Sequence, residues 1–394
     1  MKAISYKLID ICEMHSGGTP RRGESKYYGG DILWAKIGDL ERADDEFVID
    51  TEEKITMSGL EAIRNRMFPK NAVLLAMYGS VGKVAIAGRE LSTNQAILGM
   101  IPNPDILYYR FLAYWLNSKK NQLIHEARGV ALQNISKSIV AKQAISLPSL
   151  DEQKHIVFIL DQADALRRKR KEAIRLLDEY VQSVFFEMFG DPVTNPKGWE
   201  VMAGRDYCKQ ICVGVVIKPA SYYVEKGVIA LRSLNIKKNY IDLDNVVYFS
   251  EAAHKGAVSK STLRSRDVVI VRTGVTGTAA VIPQELDGIN CIDLIIAKPN
   301  TSIINPYYLS YLFNSERVKQ LVSSKEVGGI QKHFNIGAIK KLAIPIPPLE
   351  LQNQFERVHS ASLSTNIIMG RQDTKFDELF NVLMQKAFAG VGVN

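Results

Sequence analysis

The chain has 394 residues, 46% of them hydrophobic and 23% charged, and its 50 Lys and Arg against 42 Asp and Glu give a net charge of +8. That length allows two to four domains, and the balanced composition excludes a wholly disordered, collagenous or purely coiled-coil chain. The basic surplus points to a polyanionic partner without specifying one. Four cysteines, Cys12, Cys208, Cys212 and Cys291, are too few and too scattered for a disulfide framework, and the N-terminus carries no apolar stretch of signal-peptide length. No run reaches the ~18 apolar residues of a membrane span, so a soluble, cytoplasmic protein is expected.

In chain order, the segment up to Leu147 is rich in Val, Ile and Tyr and punctuated by Gly and Pro, with a strand expected at residues 72–77 and a helical patch at 108–119. It reads as a mixed, mostly β globule. Ser149 with Glu152 three places later forms a capping box, and Gly190 with Pro192 marks a stop. Between them Ile156, Leu160, Ala163, Arg167, Arg170, Ile174, Leu177, Val181, Val184 and Met188 are spaced alternately by four and three; eight of these ten are apolar, which predicts one long helix with a packing seam. At ~1.5 Å per residue such a helix is about 58 Å long. A second globule follows from Trp199 to Ile346, with a strand expected at 267–272 and a helical patch at 307–318. After Pro347-Pro348 a second helix carries Phe355, Val358, Met369, Phe376, Leu379 and Leu383 on a similar stripe, interrupted by Gly370.

The two halves are copies. Val73-Leu74-Leu75-Ala76 with Gly79-Ser80-Val81-Gly82 aligns with Val268-Val269-Ile270-Val271 and Gly274-Val275-Thr276-Gly277 at an offset of 195. Tyr114-Trp115-Leu116-Asn117-Ser118 aligns with Tyr311-Leu312-Phe313-Asn314-Ser315 at 197, and Leu147-Pro148-Ser149-Leu150 with Gln153 aligns with Ile346-Pro347-Pro348-Leu349 and Gln352 at 199. Separate patches that keep their order at a nearly constant offset mark an internal repeat, with small loop insertions as the drift. The expected fold is therefore α+β: two globules at 1–148 and 191–347, and two helices at 149–190 and 348–394. Each apolar stripe needs cover, so the helices are expected to pair as an antiparallel coiled coil that holds the globules at opposite ends of a rod about an approximate two-fold axis.

Signals for catalysis fail on spacing. Gly79-Ser80-Val81-Gly82-Lys83 has two residues between its glycines where a Walker A loop has four, and Val84 stands in place of the Ser or Thr. Asn305-Pro306-Tyr307-Tyr308 lacks the second proline of an adenine-methyltransferase signature, and no glycine-rich strand-to-helix loop offers a cofactor site. His15, His125, His155, His254, His333 and His359 never fall at the close spacing of a metal pair, and Cys208 with Cys212 has no second pair nearby, so no metal site is expected. No Ser, His and Asp set is suggestively spaced.

What remains is basic and polar decoration on the turns of both globules. The first carries Thr19, Arg21, Arg22, Lys26, Lys36, Lys83, Arg128, Gln133 and Asn134; the second carries Lys218, Arg232, Asn235, Arg272, Thr276, Lys325, Gln331, Lys332 and His333. Arg, Lys, Asn and Gln pair with guanine and adenine edges, and Lys and Arg also hold phosphates, so the set is a candidate duplex-DNA surface. The run Arg167-Arg168-Lys169-Arg170-Lys171 reads as either a solvated face of the long helix, the preferred reading, or a phosphate or partner contact. The alternative to sequence-specific reading is a basic nucleic-acid-binding scaffold indifferent to sequence, whose affinity would collapse with salt.

Several motifs, in order and twice over, resemble the specificity subunits of type I restriction-modification systems. They are Ser16-Gly17-Gly18-Thr19-Pro20, Tyr28-Gly29-Gly30-Asp31-Ile32 with Trp34, Gly79-Ser80-Val81-Gly82-Lys83, the run from Leu147 to Gln153, and Met188-Phe189-Gly190-Asp191-Pro192 before Gly198-Trp199. The resemblance covers essentially the whole chain. It implies two target recognition domains, each reading half of a split, asymmetric DNA site, with conserved helices fixing the gap. It also implies that two adenine-modifying methyltransferase subunits bind this non-catalytic chain and that restriction subunits can join, with S-adenosylmethionine, ATP and magnesium belonging to those partners. Leu351 departs from Glu152, and Cys212-Val213-Gly214 stands for Ser16-Gly17-Gly18.

Overall fold

A computed structural model describes residues 4–43, 46–127, 134–324 and 335–388. The chain forms two units, one made of residues 1–171 and 372–394 and the other of residues 172–371. Four helices organise them: α1 (Tyr109–Ala127), α2 (Leu150–Phe189), α3 (Pro306–Asn314) and α4 (Leu349–Phe388). Both changes of unit along the chain fall inside a 40-residue helix, α2 and then α4. No helix among the described residues is long and apolar enough to cross a membrane.

In the first unit the strands are β1 (Ile4–Lys7), β2 (Cys12–Ser16), β3 (Tyr28–Ala35), β4 (Phe47–Val48), β5 (Lys54–Ile55), β6 (Val73–Ala76), β7 (Val84–Ala87), β8 (Ser92–Thr93), β9 (Ile97–Pro102) and β10 (Ala144–Leu147). A sheet of order β2-β9-β6-β7-β4 is flanked by a small sheet β5-β3-β8, while β1 pairs with β10. The strands β6 and β7 are buried throughout, which explains why they read as continuous apolar runs rather than as alternation. In the second unit the strands are β11 (Glu200–Ala203), β12 (Cys208–Val213), β13 (Tyr223–Val224), β14 (Val228–Leu231), β15 (Ile236–Lys237), β16 (Tyr240–Ile241), β17 (Val247–Phe249), β18 (Val268–Val271), β19 (Ala279–Val281), β20 (Asn290–Cys291), β21 (Leu294–Pro299) and β22 (Ala343–Ile346). The same plan recurs as β12-β21-β18-β19, β13-β17-β14-β20 and β11-β22. Even the parallel pairing of Trp34 with Ser92 has its copy in Ala230 with Asn290.

The repeat register differs from the sequence alignment at one place. Ser16 faces Leu98 in the first unit and Val213 faces Ile295 in the second, so Gly214 takes the place of Gly17 and not of Gly18. A register shift between Cys208 and Gln210 accounts for the extra residue.

The capping box is present as read from the sequence. The Ser149 N–H donates to the Glu152 carboxylate at 3.1 Å, and the Glu152 N–H donates to Ser149 Oγ at 3.3 Å. Helix α2 ends at Gly190, whose φ of 78° only glycine adopts freely, and the Trp199 indole N–H caps the Phe189 carbonyl at 2.9 Å. Gly370 does not interrupt α4.

Each unit contains its own antiparallel helix pair. In the first, Arg167 of α2 lies 4.7 Å over the Phe380 ring and bonds Asp377 at 3.3 Å, while Arg170 lies 5.1 Å over Phe376. Ascending α2 thus means descending α4. The core of this unit joins Val157 and Leu160 of α2, Phe111 and Trp115 of α1, and Met384 and Phe388 of α4. In the second unit Phe185 packs 5.3 Å from Phe355, Phe189 packs 4.8 Å from Tyr308, and Asn366 donates to Asp178 at 2.8 Å. Burial of each such ring contributes on the order of 2–3 kcal/mol. The basic run at 167–171, expected as a solvated face, instead turns part of itself inward. Arg167 and Arg170 interrupt the apolar seam because their stems and guanidinium planes cover the rings of α4, and Asp164 and Asp377 neutralise Arg167.

Both helices are fastened to their globules by a fully buried glutamine. Gln153 accepts from the Tyr108 N–H at 2.9 Å and donates to the Ile106 and Pro148 carbonyls at 2.9 and 3.0 Å. Gln352 repeats this, accepting from Asn305 N–H at 2.7 Å and donating to Ile303 and Pro347 at 3.2 and 2.7 Å. Replacing Gln153 by Leu strands one donor and two acceptors in a dry site, and it is expected to lower the stability of the first unit by about 2–4 kcal/mol, read from its urea transition. A second expectation concerns His359, where Leu160 stands in the first half. Burial among Phe355, Tyr307 and Tyr311 pushes its imidazole down to about 4. Because the folded state resists the proton that the unfolded chain accepts near 6.5, this stability is full above pH 6.5 and is lost as pH falls toward 4. The loss is about 3 kcal/mol in all. The variant His359→Leu should remove that component, seen as a smaller drop of the urea midpoint between pH 7 and 4.5 than in the parent.

Candidate nucleic-acid interface

The Gly-x-x-Gly turn that follows β6 and β18 has the same backbone in both units. Gly79 and Gly82 have φ of 67° and 79°, and Gly274 and Gly277 have 97° and 80°, values that a side chain would strain. Gly82 N–H donates to Ala76 at 2.9 Å, Ala76 to Lys83 at 2.9 Å and Lys83 to Ser80 at 3.0 Å; Gly277 to Val271 at 2.9 Å, Val271 to Thr278 at 2.8 Å and Thr278 to Val275 at 3.3 Å repeat the pattern. Only the glycines and backbone are needed to build it. Of the residues between the glycines, Val81 packs on the core of the first unit, Ser80 donates to Glu41 and Thr276 is half-buried, while Val275 is exposed.

A second repeated device stands beside it. The Lys36 N–H donates to Asp39 at 2.7 Å, and the Arg232 N–H donates to Asn235 at 3.0 Å, so a buried polar side chain starts a helical turn after β3 and after β14. Asn235 is fully buried, and its amide donates to the Asp242 and Asp244 carbonyls at 3.0 and 2.9 Å. It therefore shapes the loop and is not available to a base edge, which corrects its place among the candidate contacts.

Several of the candidate cations are carried on acidic partners. Arg22 and Lys36 converge on Glu53 at 2.7 and 2.6 Å and hold its carboxyl below the usual range. The Arg22 guanidinium also stacks 5.1 Å from the Tyr28 ring and 5.2 Å from Trp34, whose indole N–H donates to the Gly18 carbonyl at 2.9 Å. Thr19 donates to Gln95 in the same cluster, and Arg21 is exposed next to it. Lys26 lies 5.2 Å over Tyr27 and 3.9 Å from Glu24. Lys83 is half-buried behind the first Gly-x-x-Gly turn, and Asn134 is half-buried in a loop.

In the second unit Arg272 bonds Asp293 at 2.9 Å, Thr273 Oγ1 donates to the same carboxylate at 3.1 Å, and the Asp293 N–H donates to the Val215 carbonyl at 3.0 Å. Asp293 thus ties the Gly-x-x-Gly turn to the loop carrying Lys218, which is exposed with a φ of 45°. Thr276 is half-buried within the turn, and Arg232 donates to the Asn245 carbonyl. A cleft of about 1260 Å³ brings Thr273, Val275 and Leu234 together with Lys237, Lys238 and Arg317. Arg128, Gln133, Lys325, Gln331, Lys332 and His333 lie outside the described residues. Asp293 was missed in the sequence because an acidic residue argues against a polyanion surface; the pair Lys237-Lys238 was a signal that could have been taken up.

Burial pushes the Cys12 and Cys208 thiols up to about 12, and Cys291 is buried and raised as well, so these sulfurs stay protonated and unreactive. No group of three or more His, Cys, Asp or Glu among the described residues is placed to hold a metal ion. The arrangement offers hydrogen bonds and positive charge from loops carried on the sheets, which is suited to binding a duplex.

Comparison with known proteins agrees. The family model for the type I restriction modification DNA specificity domain matches residues 4–176 and 254–358. The MjaIX type I restriction enzyme specificity subunit of Methanocaldococcus jannaschii is 25% identical over 372 residues, covering 89% of this chain and 84% of that protein; the MjaVIII specificity subunit of the same organism is 24% identical, covering 74% and 72%. Among solved structures, the S subunit of a type I restriction-modification system from M. genitalium aligns with a TM-score of 0.62 at 14% identity, over 100% of this chain and 97% of that one. With the family model matching well over half of its length, the chain belongs to the type I restriction-modification DNA specificity family.

Proposed function

We propose that each unit reads one half of a bipartite, asymmetric DNA site, that the paired helices set the unread gap, and that they dock two methyltransferase subunits. Restriction subunits would join that assembly. S-adenosylmethionine, ATP and magnesium would belong to the partners, and domain limits of 1–148, 149–190, 191–347 and 348–394 would describe the division of labour. The observation that carries this reading is the duplicated loop cluster: one backbone frame, built twice on equivalent sheets, with different side chains at its tips. Two such frames on one chain suit two different half-sequences, much as a symmetric dimer suits two equal ones.

Mapping methylated adenines in a host that carries this chain with its methyltransferase partner tests the reading as a whole. A split sequence methylated once in each half is expected, and methylation without sequence preference would favour the indifferent scaffold. Removing four residues, about one turn, from both α2 and α4 should shorten the unread gap by about 6 Å, or near two base pairs, and leave both half-sequences unchanged. Altered half-sequences in the methylation map would count against a ruler. Arg272→Ala should weaken binding by about 1–3 kcal/mol and relax one half-site only, measured by competition among duplexes; equal loss on unrelated sequences would mark a phosphate contact.

A further inference from the structure

The two most exposed large apolar side chains among the described residues are Ile217, 81% exposed, and Val275, 75% exposed. Val216, beside Ile217, is 51% exposed. They do not lie at random. Ile217 and Val216 sit on the loop just past Val215, Val275 is the tip of the Gly-x-x-Gly turn, and Asp293 fastens that loop to that turn through Val215 and Thr273. The cations Lys218 and Arg272 flank the same cluster.

The repeat separates what is common to both units from what is not. With Gly214 in the place of Gly17, Thr19 corresponds to Val216 and Arg21 to Lys218; in the turn, Ser80 corresponds to Val275. A cation therefore stands at the same point in both units, as contact with a phosphate backbone of any sequence requires. The tips beside it change from hydroxyls, Thr19 and Ser80, to branched hydrocarbon, Val216 and Val275, with Ile217 added. Exposed hydrocarbon is unfavourable in water, and on a polyanion surface it has one apolar feature to meet in the major groove, the C5-methyl group of thymine.

We propose that Val216, Ile217 and Val275 read thymine methyl groups in the half-site taken by the second unit, with Lys218 holding the adjacent phosphate. This rests on the DNA-reading function proposed above. The test uses the chain assembled with its methyltransferase subunits and duplexes bearing the mapped site, with thymines replaced by deoxyuridine in one half at a time. Deoxyuridine keeps every hydrogen bond and removes only the methyl. Binding is expected to weaken about fourfold for each methyl lost in one half-site, the effect of one buried carbon, and to change little for the other. The variant carrying Val216→Ser, Ile217→Ser and Val275→Ser, all solvent-exposed positions, should bind thymine and deoxyuridine duplexes equally.

Three results would overturn the proposal while leaving sequence-specific binding intact: a half-site without thymine opposite this unit, indifference of the parent protein to deoxyuridine, or sensitivity that persists in the triple variant. Absence of any sequence preference in the parent assembly would instead remove the DNA-reading function, and the proposal with it.

Discussion

The cover that α2 and α4 give each other is the interaction on which the rest depends. A 40-residue helix with an apolar stripe cannot stand alone in water, and tertiary packing rather than propensity supplies most helical stability. Here the cover is also structural material for the globules. The helix that trails the first β globule supplies Phe185 and Phe189 to the core of the second unit, and the helix that trails the second supplies Met384 and Phe388 to the core of the first. Each half of the sequence completes its core with a helix end from the other half. Gln153 and Gln352 then lock the starts of these helices to the loops before α1 and α3, so that helix direction is fixed where it leaves the sheet.

The parts of this architecture legible in the sequence are those set by local chemistry. The Ser149–Glu152 capping box, the Gly190 stop, the apolar seam and the duplicated Gly-x-x-Gly turn each follow from residue type and spacing, and the structure bears them out. Positions that depend on a distant partner were not legible. Arg167 and Arg170 look like breaks in a seam until the rings of Phe376 and Phe380 are placed against them. Asn235 looks like a polar surface residue until the Asp242 and Asp244 carbonyls are seen folded around its amide. The one-residue slip of the repeat at Gly214 comes from a bulge in β12, and a bulge has no residue signature there. His359 stands where the first half has Leu160, and only the surrounding aromatic rings show what burial does to it.

The candidate surface differs from a simple basic patch. Glu53 and Asp293 each hold cations in place, so Arg22, Lys36 and Arg272 are oriented by carboxylates instead of being bare charges. The bond to Asp293 engages one of the five N–H groups that the Arg272 guanidinium carries in a fixed fork, so the pairing orients the fork without using it up. An orienting carboxylate also lowers the net charge of the surface, which moderates indiscriminate attraction to any phosphate backbone and leaves geometry a larger share of the selection.

The Gly-x-x-Gly frame has an evolutionary consequence. Its shape is written in two glycines and three main-chain bonds, which engage only backbone atoms even at Ser80 and Val275, so the frame is kept while these side chains differ between the units. Substitutions at the exposed Val275 leave those bonds and the core intact, so lineages can try new readouts at that position while inheriting an unchanged scaffold.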